Sequence, residues 1–555
     1  MQIRIVAFSR LVFCRITVAI LWLVLVQTIP AIQAQVQVSD TVGSDVAIQT
    51  ILDVGEGLER NRRWSDALTH YENALHKFPG RNDIQQRLRR SKIHFDLARR
   101  YFDSSYLTSL DRLHEREALD LYSELLLKIN THYFEAPNWQ QLVHHGTNNV
   151  IVALNDPVFV DRHLPHTDEE YIVSFRRELL RIMDQHQLLS RQDARIAVAS
   201  AARLAAQYLQ IRPSVVIMEY VCGATGAMDD YSSFLTPAQL DDVYSQIEGN
   251  FVGLGIELKA SDGNLLIVNV LSNSPAFRSG IQSGDRIVEV DGQPTRDVST
   301  DQAAEMLKGE EGSLVDLTVL STNNESRRLR IRRQQVEIPS VEDVKMLDRE
   351  AGIGYMRLAS FQKTTSRDVD AALWDLHRLG MQSLLIDVRN NPGGLLSASV
   401  EVADKFVQRG TIVATRGRSP REDFDYKAHG GGTWSVPLIV LVDGDSASAS
   451  EIFAAAVRDH RRGVIVGQRS YGKGSVQGIF PLNYFNAGIR LTTARFYSPS
   501  GRPISNTGVS PDIVVGETDD QATDTLRRIG SNHDDPVVAA GLQAARDQLA
   551  TSRRY

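Results

Sequence analysis

Ser448 lies in LIVLVDGDSASASEIFAAAVRDH, which begins at Leu438 as a buried strand, turns, and continues as a helix. A hydroxyl at such a turn is presented at a helix N-terminus, where free backbone N–H groups and the helix dipole favour a developing negative charge. Lys473 follows in YGKGSVQ. A serine needs a base to become a nucleophile, and a lysine serves if burial disfavours its ammonium form and brings its pKa from about 10.4 toward neutrality. Upstream, LLIDVRNNPGG puts Gly393 and Gly394 just after a strand, where bare backbone N–H groups can face an oxyanion. Together these residues read as acyl transfer by a Ser–Lys pair. A blander reading stays open at Ser448: with Glu451 it also satisfies Ser-x-x-Glu, the capping box that closes a helix end.

Other chemistries fit less well. Gly467 to Gly474 spells GQRSYGKG, one residue from the phosphate-binding pattern G-x-x-x-x-G-K-[ST], but the hydroxyl that would hold magnesium is missing and SVQGIF continues as a strand. Gly444-Asp445-Ser446-Ala447-Ser448 ends in serine, so no Gly-x-Ser-x-Gly elbow supports a Ser–His–Asp hydrolase built on His429 or His460. No His-Glu-x-x-His and no carboxylate cluster with ligand spacing points to a metal, and no cofactor is expected. Cys222 has no His or Lys within ten residues to lower its pKa and reads as a buried apolar residue.

The elements that must position these groups fall into distinct stretches. From about residue 50 to 130 apolar residues recur at helical spacing, as in Trp64, Leu68, Tyr71 and Leu75, and Gly55, Ala67, Tyr71, Ala74 and Pro79 have the spacing of one tetratricopeptide unit. An ordinary helical hairpin reads equally well. Helical patterns follow at 117–129, 173–189 and 191–211. At Gln246 the character changes to short strands, with Gly249–Leu258 expected as one of them. Beyond Val336 strands and helices alternate, which argues for an α/β layer domain. The last forty residues are polar, with one amphipathic stretch, Asp535–Leu549.

Two resemblances emerge from these motifs. QIEGNFVGLGIEL and SPAFRSGIQSGDRIVEVDGQP together resemble a PDZ domain, whose Gly-Leu-Gly nest holds a peptide's terminal carboxylate while an edge strand pairs with its backbone. The resemblance assigns the carboxylate loop to Gly253, Leu254, Gly255 and Ile256. SASASE, YGKGSVQ and DVRNNPGG behind that module resemble the carboxy-terminal processing peptidases, or tail-specific proteases, over roughly Glu117 to Val514. That family implies a Ser–Lys dyad with Ser448 as nucleophile and Lys473 as general base. It also implies Gln477 as the residue orienting the lysine, and an oxyanion hole from the N–H groups of Gly394 and Ala449. Asp459 matches an acidic position noted in some members, and is expected to be an exposed helix-end residue. Asp229-Asp230-Tyr231 departs from the family's Asp-Pro-His run and is expected to lie outside the active site.

Composition bounds the remainder. The chain has 555 residues, enough for three or four folding units, with 42% hydrophobic and 23% charged residues, values that fit neither disorder nor a multi-span membrane protein. A net charge of −7 gives no basic footprint for nucleic acid, and two cysteines exclude a disulfide scaffold. Arg4, Arg10 and Arg15 precede an apolar run from Ile16 to Ile29 that is too short to span a bilayer and is followed by small residues to Ala34, the order of a secretory signal. A retained signal anchor is the alternative, and the only expected route to a membrane.

The expected architecture is multidomain α+β. It comprises a signal over 1–34, a helical tetratricopeptide-like extension over 35–110 and a helical N-terminal peptidase region over 111–244. A PDZ β-rich module over 245–335, an α/β layered protease core over 336–515 and a tail with a short helix over 516–555 complete it. The expected protein is an exported, periplasmic endopeptidase acting on protein C-terminal tails, with an adaptor as a possible partner of the extension. A catalytically idle scaffold that only binds tails is the alternative.

Overall fold

The computed structural model describes residues 39–185, 187–261, 264–296, 303, 306–515 and 535–552. The expected signal, and the tail up to residue 534, lie outside the described residues.

Helices Ser39–Arg60 and Trp64–Lys77 pack as a pair in which Ala67, Tyr71 and Ala74 are buried with Ile84. A side chain at Gly55 would collide with the Tyr71 hydroxyl, which donates to Glu59 at 2.8 Å. The next helix, Asn82–Phe102, runs into a second and larger core, to which it contributes Leu97 and Tyr101. Its Arg100 is buried against Glu219 at 2.8 Å, so the extension is keyed to the helix at the centre of that core, Pro213–Gly226. The central helix is buried from Ser214 to Thr225 and therefore shows no apolar stripe, which is why its periodicity is unreadable in sequence.

The β-rich module is a six-stranded antiparallel sheet running from Ile256–Ser261 at one edge to Ser326–Arg332 at the other, around Leu258, Leu265, Ile267, Ile287, Val315 and Ile331. The expected strand over Gly249–Leu258 is two strands. Gly255, with φ +78°, turns the chain between Asn250–Gly253, which pairs with Gln334–Glu337, and the edge strand Ile256–Ser261. The short ribbon is where the chain enters and leaves the module.

The core sheet has the order Val341–Asp348, Ile353–Leu358, Ser383–Asp387, Leu438–Val442, Val464–Gly467, Ile513–Val514, and every neighbouring pair except the first is parallel. Parallel strands need both faces covered. Helices Thr365–Arg378, Leu396–Asp404 and Ala449–Asp459 cover one face. The other is closed by helix Pro536–Ser552, whose Val538, Ala544 and Ala545 meet Leu385, Ile439 and Leu441. The amphipathic stretch expected in the polar tail thus covers one face of the core sheet. Ala545 is fully buried, so Ala545→Asp places an unpaired carboxylate against the sheet and is expected to cost about 3 kcal/mol or more. An unchanged thermal midpoint would show that the helix does not stay docked in solution.

A second sheet joins the regions. Ser233–Leu235, which precedes the PDZ-like module, pairs antiparallel with Gly488–Tyr497, whose other neighbours are Thr411–Gly417 and Ser475–Pro481. The β-rich module is therefore an insertion between one strand of this sheet and the rest of it.

Candidate active site

Ser448 ends the turn after strand Leu438–Val442 and opens helix Ala449–Asp459. Its φ of 56° and ψ of −114° put a non-glycine residue in a sparsely populated region that costs roughly 1–3 kcal/mol. A strained strand-to-helix elbow is therefore present without the glycines of the usual motif. The hydroxyl stands on the side where a capping box would use it but caps no N–H, since Glu451 N–H donates to the Ser448 carbonyl at 2.9 Å. The carboxylate half of the box is the full hydrogen bond, from Ser448 N–H to Glu451 Oε2 at 2.9 Å.

Glu451 does more than cap. It is fully buried and also accepts from the Ser470 hydroxyl at 2.6 Å, Gly472 N–H at 2.7 Å and Lys473 N–H at 2.9 Å. Burial pushes its carboxyl pKa up, and these four hydrogen bonds oppose the shift. One carboxylate thus ties the Ser448 turn to the Lys473 loop. Sequence reasoning saw Glu451 only as a helix cap, because its three further partners lie in the next loop.

Lys473 is half-buried, and its pKa is lowered, first by burial and next by Arg490, against the pull of Glu451 and Asp229. Its Nζ shares no hydrogen bond with Ser448 Oγ among the described residues and stands 4.9 Å from the centre of the Tyr231 ring. The Asp229-Asp230-Tyr231 run, expected outside the active site, is against its lysine. A pocket of about 310 Å³ opens there, lined among others by Tyr133, Phe134, Asp229, Tyr231, Gly472 and Ser475. Gln477 sits at a bulge in strand Ser475–Pro481, and its amide donates to the Ser475 hydroxyl at 2.8 Å, with no hydrogen bond to Lys473 among the described residues.

The glycine loop lies on the other side of Ser448. A Cβ at Gly393, φ +101°, would come within 2.7 Å of Ser448 Cβ, and one at Gly394, φ +145°, within 2.0 Å of the Phe361 carbonyl oxygen. Only bare backbone fits so close to Ser448. Buried Asn391 holds the loop: its carbonyl accepts from Ala447 N–H at 3.0 Å and the Ser450 hydroxyl at 2.9 Å, its Oδ1 accepts from Gly393 N–H at 2.9 Å, and its Nδ2 donates to Leu358. Among the described residues the N–H groups of Gly394 and Ala449 donate to no acceptor, whereas that of Gly393 is occupied. Below the loop Arg389 pairs with Asp387 at 2.6 Å and with Asp535, at the start of the helix closing the sheet, at 2.8 Å.

The remaining sequence candidates lie apart. Asp459, one helix length from Ser448 or roughly 16 Å, is not exposed: its side chain is 3% accessible and accepts from the Ser500 hydroxyl at 2.7 Å and from Arg502. Burial raises its pKa, but hydrogen bonds from Ser498 and Ser500 and the Arg458 charge outweigh that and hold it at about 2. The residue fixes a turn. Cys222 is buried in the central helix and burial pushes its thiol to about 12, as expected of an inert packing residue. In the PDZ-like module Leu254 is buried in the core, Gly255 carries the turn, and the outer edge of Ile256–Ser261 has no strand partner among the described residues. No group of three or more His, Cys, Asp or Glu side chains is placed to hold a metal, and no helix is long and apolar enough to cross a membrane, among the described residues.

Family models match in two places: peptidase family S41 over residues 352–515 and the PDZ domain over 245–320. A carboxy-terminal-processing protease of Bartonella bacilliformis is 36% identical over 320 residues, 56% of this chain and 73% of that protein. A carboxyl-terminal-processing protease of Picosynechococcus sp. is 34% identical over 52% of this chain and 70% of its own. Among solved structures, a photosystem II D1 C-terminal processing protease aligns at 26% identity over 76% of this chain and 99% of that one, with a TM-score of 0.38. The extent and identity of the Bartonella match, together with the two domain models, mean that this chain belongs to the carboxy-terminal-processing serine proteases of peptidase family S41, with a PDZ domain.

Proposed function

We propose that this peptidase is exported by its N-terminal signal, binds the C-terminal carboxylate of protein substrates on Gly253, Leu254, Gly255 and Ile256, and cleaves them near that end with Ser448 and Lys473. The substrate backbone extends the open edge at Ile256–Ser261, which raises the local concentration of the scissile bond at the core. Neutral Lys473 Nζ takes the Ser448 hydroxyl proton as Oγ attacks the carbonyl carbon. The N–H groups of Gly394 and Ala449 receive the oxyanion. As the C–N bond breaks, Lys473 returns the proton to the leaving amine, and water then hydrolyses the acyl-enzyme to free the serine. Gln477 orients the lysine in the engaged state, and the helical extension offers a surface for an adaptor.

The observation that supports this reading most is the strained Ser448 turn, flanked by two unused N–H donors and tied through Glu451 to the loop of a half-buried lysine. A peptide with a free C-terminal carboxylate and its C-terminal amide test the tail dependence. Loss of charge-assisted hydrogen bonds is expected to lower kcat/KM for the amide about 10–100-fold. Equal rates for the two, with cleavage sites mapped by mass spectrometry to positions unrelated to the C-terminus, would refute tail recognition.

A further inference from the structure

Tyr231 belongs to a turn anchored on several sides. Ser232 N–H donates to Asp229 Oδ1 at 2.8 Å, Asp229 N–H to the Tyr133 hydroxyl at 3.1 Å, and Thr492 N–H to the Ser232 hydroxyl at 3.2 Å. Lys92, from the third helix of the extension, reaches Asp230 at 3.2 Å. The ring is therefore held in place while Lys473 Nζ lies over it, 4.9 Å from its centroid, inside the roughly 6 Å range of a cation–π contact. The other charged groups acting on this lysine are Glu451 from the nucleophile helix, Arg490 from strand Gly488–Tyr497 and Asp229 from the same turn. An aromatic face attracts an ammonium and does little for a neutral amine, so the ring favours the protonated lysine at a position where Nζ makes no bond to Ser448.

We propose that Tyr231 is a positioning residue of the dyad: its ring is the resting seat of the Lys473 ammonium, a contact that the lysine gives up when it engages Ser448. The proposal rests on Lys473 being the base, and it gives the family-atypical Asp-Asp-Tyr run a role in setting when the enzyme is ready to react.

The test titrates Lys473 directly, by competitive acetylation of the full-length protein across pH with peptide mass spectrometry, in the Ser448→Ala background. In parallel, the ascending limb of kcat/KM is followed in proteins that keep the serine. Tyr231→Leu is expected to move both titrations to lower pH by about one unit, and Tyr231→Phe, which keeps the ring, to leave them at the wild-type position. If the Leu variant does not fold, Tyr231→Met replaces it. Titrations unmoved in the Leu or Met variant overturn the proposal. So does an equal shift with Phe, which would assign the effect to the hydroxyl. A shift in acetylation without any shift in the kcat/KM limb keeps the seat and refutes Lys473 as the base.

Discussion

Ser448→Ala is expected to lower kcat/KM by about 10⁵-fold or more, with Lys473→Ala comparably damaging and the double variant little worse than either, because nucleophile and base act as one unit. The residual rate measures what the oxyanion donors and substrate binding contribute by themselves. Ser448→Gly separates catalysis from folding. Its backbone accepts the positive φ at little cost, so it is expected to be as inactive as the alanine variant yet more stable by about 1 kcal/mol. Stopped assays with a cleavable tail peptide, paired with thermal unfolding, report both. Wild-type cleavage by the alanine variants would refute the dyad, and tail binding without cleavage by the wild-type chain would favour the idle scaffold.

Glu451→Ala is expected to be the most damaging single change outside the dyad. It strands the N–H groups of Ser448, Gly472 and Lys473 and the Ser470 hydroxyl in a buried site, at about 1–3 kcal/mol for each unsatisfied donor. The loss is expected to reach at least about 4 kcal/mol, enough to loosen both loops. Glu451→Gln is the sharper probe. It keeps the volume but turns one oxygen into a donor facing donors, so kcat is expected to fall about 100-fold through misplacement of the dyad. A Gln variant with wild-type kcat would show that the two loops hold their geometry without the carboxylate.

Much of the protease core is legible from local pattern. LIVLV followed by DGDSASAS marks a buried strand, a turn and a helix start, and the molecule places Ser448 at that junction. The alternation of strands and helices expected beyond Val336 is present, as in helix Thr365–Arg378 followed by strand Ser383–Asp387. Features set by partners far apart along the chain are not legible. Nothing around Tyr231 announces Lys473, and nothing in Asp535–Leu549 announces the hydrophobic sheet face that it covers, since an amphipathic helix does not name its partner. Three-residue Ser233–Leu235 is too short to show a period at all. The glycine loop beside Ser448 lies between these cases: its glycines stand out in sequence, whereas the long-range bonds by which Asn391 ties it to Ser448's turn do not.

The pairing of Ser233–Leu235 with strand Gly488–Tyr497 has a consequence for how the molecule is made. Contacts this distant in sequence close late, and a ribosome adding roughly 5–20 residues per second takes some tens of seconds between the two strands. For most of that interval the Tyr231 turn lacks the Lys473 it will face. The sheet that joins Ser233–Leu235 to Gly488–Tyr497 can therefore close only after nearly the whole protease core has been made, so a chain cut short before residue 488 lacks it.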